Sequence, residues 1–170
     1  MSLFRPKMYY PNIFKVNYAL LKEKRIKLLI FDIDNTTVKI NEKLPHVKVK
    51  ELIEKLKNDF IITMASNNKI KRVKKIGDYL GIHAFYSVGK PSKKLKKLLL
   101  KKFDVKMEEV AIIGDQIMTD IFMGNRLNTL TILVDPIEKK DLKITYFNRV
   151  TEKLVLKMIK LKRGNYYEKE

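Results

Sequence analysis

Asp32, Asp34 and Thr36 alternate along one short stretch, DIDNT, directly after the apolar run LLIF. Further on, Ser66-Asn67-Asn68 follows FIITMA, Gly89-Lys90 follows AFYSV, and Gly114-Asp115 follows EVAII, with Asp120 five residues beyond. Carboxylates gathered in one crevice repel each other unless a cation sits among them, and an oxygen-only set suits the hard ion Mg²⁺. Beside such an ion, the Lys90 ammonium and the Ser66 hydroxyl are groups that hold the non-bridging oxygens of a phosphate. The constellation is that of a phosphoryl-transfer site. Each member also has a plain structural use: Asp34, Ser66 and Thr36 as turn or helix caps, Lys90 as one lysine among 31. Joint placement at one edge of a fold separates the two readings.

The elements needed for that placement are legible as alternating short apolar runs and amphipathic stretches, the pattern of a parallel sheet with helical crossovers. Strands are predicted over 27–34, 60–67, 84–88, 109–115 and 129–135. Between them, Val49, Leu52, Ile53 and Leu56 share one helical face, as do Ile70, Val73, Ile76 and Leu80, with Gly81 as a stop. Pro91 suits a first helical turn ahead of the stripe Leu95, Leu98, Leu99 and Phe103, and a further helix is expected over about 119–127. The fold class expected is α/β: a doubly wound, Rossmann-like parallel sheet of about five strands with helices on both faces. In such sheets ligands bind beyond the carboxyl ends of the strands, where all four polar segments stand.

The flanks read as a helix over 12–24, packing Ile13, Phe14, Tyr18 and Leu21, and another over 151–162, using Leu154, Val155, Met158 and Ile159. Residues 135–149 read as a loop and the last six as a frayed tail. The whole is expected to be one domain over 1–170, divided into a helical extension (1–26), a catalytic core (27–135) and a C-terminal loop and helix (136–170).

DIDNT, Ser66, Lys90 and GDQIMTD resemble, in order, the four motifs of haloacid dehalogenase-like hydrolases. Ser66-Asn67-Asn68, Gly114-Asp115-Gln116, Thr119-Asp120, Gly124-Asn125-Arg126 and residues 145–149 are similar to the YqeG-type IIIA branch, which includes phosphatidylglycerophosphate phosphatases. Thr37 departs from that branch, where an apolar residue is usual. The resemblance implies a Mg²⁺-dependent phosphatase in which Asp32 attacks phosphorus and forms an aspartyl-phosphate. It gives Asp34 the proton transfers, to the leaving oxygen and later from water. Ser66, Asn67 and Lys90 would bind the phosphate. The metal would be held by Asp32, the Asp34 backbone carbonyl and Asp115, with Asp120 a ligand through water or a partner that positions Lys90.

The composition narrows the remaining classes. With no cysteine, thiolate metal sites, disulfides and cysteine nucleophiles are excluded together. The first residues lack the uninterrupted apolar stretch of a signal peptide, and no apolar run approaches the roughly 20 residues that cross a bilayer. A cytoplasmic protein is expected. The net charge of +18 would attract nucleic acid or anionic lipid, yet 31 of the 37 basic residues are Lys rather than Arg. Functional attraction and simple compositional bias both remain open on that count. GKPSKK lacks the spacing of a nucleotide-binding P-loop, and His46 and His83 read as surface residues.

Members of the superfamily often carry a cap domain that encloses a small substrate. Here Asp34 to Ser66 is 32 positions and Ser66 to Lys90 is 24, each filled by one crossover helix and its loops. A capless site suits a phosphate displayed on something bulky. The first expectation is an anionic phospholipid, phosphatidylglycerophosphate, with Phe4, Tyr9, Tyr10, Phe14 and the lysines resting peripherally on the inner face of the membrane. The alternatives are a nucleic-acid end, a phosphoprotein, or a basic nucleic-acid-binding protein whose phosphatase site is secondary.

Overall fold

The computed structural model describes residues 3–138 and 154–168. Its seven-stranded sheet consists of β1 (Met8–Tyr10), β2 (Leu28–Phe31), β3 (Ile61–Ala65), β4 (His83–Phe85), β5 (Val110–Gly114), β6 (Leu130–Val134) and β7 (Tyr167–Glu168). Their spatial order is β4-β3-β2-β5-β6-β1-β7. Neighbours pair in parallel except β7, which runs antiparallel to β1. The crossover helices are α2 (Val47–Leu56), α3 (Ile70–Leu80), α4 (Lys94–Lys102) and α5 (Phe122–Arg126), with α1 (Tyr18–Glu23) ahead of β2. The expected doubly wound α/β fold is present, and its sheet has two more strands than expected.

Period-two alternation along each strand divides the core between the two sheet faces. Leu29, Phe31, Ile62, Met64, Ala111 and Ile113 face α2 and α3, which contribute Val49, Ile53, Leu56, Val73, Ile76 and Leu80. Leu28, Ile30, Ala65, Val110 and Ile112 face the other way, toward Leu95 and Leu99 of α4 and Met123 of α5. The chain winds outward from β2 through β3 to β4, then returns to place β5 and β6 on the opposite side of β2. The reversal lies between β2 and β5, so the carboxyl ends of these two strands flank the crevice where such sheets bind ligands.

Several sequence expectations are corrected. Residues 12–24 do not form one helix: a single 3₁₀ turn (Ile13–Lys15), capped by Asn12, is followed by α1, capped by Asn17. Phe14 is exposed although Ile13 beside it is buried, and Ile70 at the start of α3 is exposed as well. Pro91 lies ahead of α4, joined to Lys90 by a cis peptide bond. Residues 117–121 form a wide π-type turn before α5 rather than regular helix. Tyr9 and Tyr10 are core residues of β1, 0% and 7% exposed, and Phe4 stacks on Phe122, so these three rings are not free to rest on a bilayer.

At the other end, residues 154–158 are helical, but Leu154 and Met158 point to solvent while Ile159 and Leu161 are buried against Tyr9, Ile117, Ile121 and Leu133. The expected frayed tail instead supplies β7. Residues 145–149, with Asn148 and Arg149, lie outside the described residues.

Candidate active site

Asp32 directly follows β2. Its backbone N–H donates to the Ile113 carbonyl at 2.9 Å, which carries the β2–β5 pairing one residue into the crevice. The chain then folds back in a tight turn. Asn35 takes the left-handed conformation at φ 61°, its N–H donates to Val38 O at 2.7 Å, and the Val38 and Thr37 amides both donate to Ile33 O. Asn tolerates that conformation better than most residues. Thr37 is buried, and its hydroxyl is shared between the Asp32 and Ile33 carbonyls, each 3.1 Å away. A residue that departs from the related pattern thus braces the backbone around Asp32.

Asp115 directly follows β5. One of its oxygens accepts from the Thr36 hydroxyl at 3.0 Å, linking the first polar segment to the last. Asp120 sits in the wide turn, where its Oδ2 accepts from the Gln116 N–H at 3.2 Å. It packs so close to Gly114 that a Cβ there would lie 2.4 Å from its carboxyl carbon. Glycine at 114 is what lets this carboxylate reach the site.

Lys90 is buried between two acids. Its ammonium donates to Asp32 and, at 2.7 Å, to Asp120 Oδ1. The Asn67 amide clamps the Lys90 backbone from both sides, Oδ1 accepting from Lys90 N at 2.6 Å and Nδ2 donating to Lys90 O at 3.1 Å. Arg126 donates to Pro91 O at 3.1 Å, a further tie to the same loop. The Asn67 side-chain amide, expected on the phosphate, makes these two bonds to the Lys90 backbone. Ser66 is buried at the end of β3, and its Oγ accepts from the Asn68 N–H at 3.1 Å.

Carboxylate oxygens of Asp32, Asp115 and Asp120 lie within 4.8 Å of one another. Asp34 is the expected site residue whose carboxylate stands apart from this trio. Its Oδ1 accepts from Arg72 Nη2 at 2.7 Å and Nε at 3.2 Å, and its Oδ2 accepts from the Asn68 amide. Two arginines that the sequence does not mark also reach the site: Arg72, and Arg163, which donates to the Asp115 carbonyl at 2.8 Å and to Val134 O at 3.1 Å.

A family model, haloacid dehalogenase-like hydrolase, matches residues 40–128. The Bacillus subtilis (strain 168) protein named "Probable phosphatase YqeG" is 37% identical over 162 residues, covering 95% of this chain and 94% of that one. The chain belongs to the haloacid dehalogenase-like hydrolase family. Among solved structures, a protein from Porphyromonas gingivalis described as a predicted HAD-like family hydrolase superposes with a TM-score of 0.55 at 12% identity, over 76% of this chain and 98% of the other. A HAD family enzyme from Bacteroides thetaiotaomicron, in complex with magnesium and inorganic phosphate, gives 0.52 at 11% identity, over 71% and 99%. At these identities the structural likeness establishes the fold.

The electrostatics of the haloacid dehalogenase-like site follow from burial. Loss of solvent is the main cause that pushes Asp32 up to about 7, with Asp120 adding to it and Lys90 opposing. Burial, with Asp32 and Asp120 nearby, likewise holds Asp115 well above the usual carboxylate range. For Lys90, burial alone would lower the pKa, but Asp120 and Asp32 outweigh it and hold the ammonium above its ordinary value. Fully ionised, the three acids would face one ammonium, a deficit that bound protons relieve in the metal-free site and that a cation would relieve in their place.

Proposed function

We propose that this hydrolase is a Mg²⁺-dependent phosphomonoesterase working through an aspartyl-phosphate on Asp32, and that its substrate presents the phosphate on a bulky or membrane-borne body. Phosphatase chemistry is supported by the family and by the name of the Bacillus subtilis relative. Mg²⁺ is supported by the fit of the site: a buried, oxygen-only trio whose charge one lysine does not balance. The magnesium and phosphate held by the Bacteroides thetaiotaomicron enzyme are consistent with it.

Asp32, Asp115 and the Asp34 carbonyl would hold the ion. Both Asp120 oxygens already have partners, Lys90 and the Gln116 amide, which favours Asp120 as the residue that positions Lys90. Bound there, Mg²⁺ supplies charge against the phosphate oxygens. Asp32 bonds to phosphorus as the bond from phosphorus to the ester oxygen breaks, and Asp34 gives that oxygen its proton. Asp34 then takes a proton from the water that attacks phosphorus, releasing phosphate and restoring Asp32. Lys90 and the Ser66 hydroxyl bind the non-bridging oxygens and meet the charge they carry.

The openness of the site carries the substrate reading. Residues 34–66 hold only a turn, α2 and β3, and residues 66–90 only α3 and β4, so neither interval adds a cap domain over Asp32. Phosphatidylglycerophosphate is the first candidate: the exposed Lys94, Lys96, Lys97, Lys101 and Lys102 of α4 start at the loop that bears Lys90 and suit an anionic membrane face. Among the described residues no helix is long and apolar enough to cross a membrane, so contact would be peripheral, at the inner face. The same lysines suit a nucleic-acid end, which is the second reading, followed by a phosphoprotein.

Phosphate release from phosphatidylglycerophosphate in mixed micelles, beside soluble monoesters and a phosphorylated oligonucleotide, separates these. The expected result is Mg²⁺-dependent release that favours the lipid and disappears in Asp32→Asn. Release from soluble esters or the oligonucleotide alone removes the lipid, and no release from any of them overturns the reading.

A further inference from the structure

Arg72 lies in the first turn of α3, and no site motif contains it. Its guanidinium makes four contacts: two donors to Asp34 Oδ1, Nη1 to the Glu42 carbonyl at 2.8 Å, and Nη2 also toward the Lys39 carbonyl at 3.4 Å. One planar side chain thereby ties α3 to Asp34 and to the loop that follows it. Asn68 completes the cradle by donating to the other Asp34 oxygen. The Arg72 and Asp34 side chains are each 26% exposed, so the pair lies at the mouth of the site and not in its sealed part. This network also holds the fold, so the part Arg72 plays in the reaction is read from leaving-group dependence and not from stability.

We propose that Arg72 is a positioning residue for catalysis, holding the Asp34 carboxyl group in the orientation from which it exchanges a proton with the leaving-group oxygen. This rests on the phosphomonoesterase reading above. When the bond from phosphorus to the ester oxygen breaks, the O–H proton of Asp34 passes to that oxygen and Asp34 becomes a carboxylate. Its charge is then met by the Arg72 fork and the Asn68 amide, donors already in place and needing no rearrangement. In the second half the same carboxylate takes a proton from the attacking water. A lysine offers one mobile point charge where Arg72 offers a rigid fork, so it orients Asp34 less well while leaving a cation in place.

The discriminating property is leaving-group dependence, because a good leaving group departs without a proton and a poor one does not. Wild type, Arg72→Lys and Arg72→Ala are assayed with Mg²⁺ on p-nitrophenyl phosphate and on an alkyl phosphate, with thermal unfolding as the check on folding. Arg72→Ala is expected to lose about 100-fold in kcat/KM, which reports the step that expels the leaving group, on the alkyl ester and less than about 10-fold on the aryl ester. Arg72→Lys should fall between it and wild type on the alkyl ester, and it carries the test if the alanine variant fails to fold. Equal losses in kcat/KM on both esters, or no loss on either, overturns the proposal while leaving the phosphatase reading intact. A wild type inactive on every ester sinks that reading and the proposal with it.

Discussion

Lys90 and Asp120 form an ion pair inside the protein, Nζ to Oδ1 2.7 Å, with side chains only 3% and 1% exposed. Asp32 is the ammonium's second partner. Breaking a buried pair by removing one member leaves an uncompensated charge and typically costs about 3–5 kcal/mol. Lys90→Met should therefore lower the unfolding free energy of the metal-free protein by about 3 kcal/mol. The loss should be smaller with Mg²⁺ present, since the ion supplies charge that the lysine no longer does. Denaturant unfolding in chelator and in Mg²⁺ measures both, and an equal loss in the two conditions would speak against a cation among these carboxylates.

Gly114→Ala tests how Asp120 reaches the crevice. The added Cβ would meet the Asp120 carboxyl at 2.4 Å, far inside contact distance. The expected result is destabilisation by about 1–3 kcal/mol, the range for overpacking, together with a fall in kcat of at least about tenfold as Asp120 and Lys90 shift. A fully active, fully stable variant would mean that the position of Asp120 is immaterial.

Arg163 reaches from the C-terminal segment to the backbone of the site. It holds the Asp115 and Val134 carbonyls, and it pairs with Asp135, which also accepts from Tyr9 and Tyr166. Removal of a residue that supports a metal ligand commonly costs about 10–100-fold in metal affinity. Arg163→Ala should raise the Mg²⁺ concentration giving half-maximal activity about tenfold, with kcat at saturating Mg²⁺ much less affected. An unchanged Mg²⁺ dependence would confine Arg163 to holding the chain end.

The pH dependence has a definite sign. Asp32 stands at about 7 in the folded protein against an ordinary 3.8, so across that window the native state keeps a proton that the unfolded chain has released. Unfolding then releases a proton, and this carboxyl's contribution to stability declines as pH rises from about 4 to 7. Asp115 acts in the same direction. His83, pushed down by burial, acts in the opposite one. The gain in Tm on adding Mg²⁺ isolates the acidic trio: it should be larger at pH 8 than at pH 5.5, because at the lower pH protons compete with the ion. A gain that shrinks with rising pH would contradict this.

The strands that bear the site were legible because each is a short apolar run ending in a polar residue, and the helices between them because their apolar spacing is regular. β1 and β7 were not, since MYY and YE are too short to show a period and β7 exists only by pairing with β1. Asp32, Ser66 and Asp115 were legible as polar residues directly after strands, whereas Lys90 stands five residues beyond β4, on the loop that leads to α4. Arg72 was hidden among the lysines of α3, where nothing local marks one cation as facing inward. Asn67 carries the right chemistry for a phosphate, but its amide meets the Lys90 backbone 23 residues on, a match made only by the fold.

The central claim is a phosphoryl group carried on Asp32. Turnover of a phosphomonoester with Mg²⁺ is quenched in acid, reduced with borohydride, and mapped by peptide mass spectrometry. The account predicts that position 32 is converted to homoserine in wild type and that no such product forms in Asp32→Asn. Active turnover with position 32 unmodified, or with the modification at another residue, would contradict it.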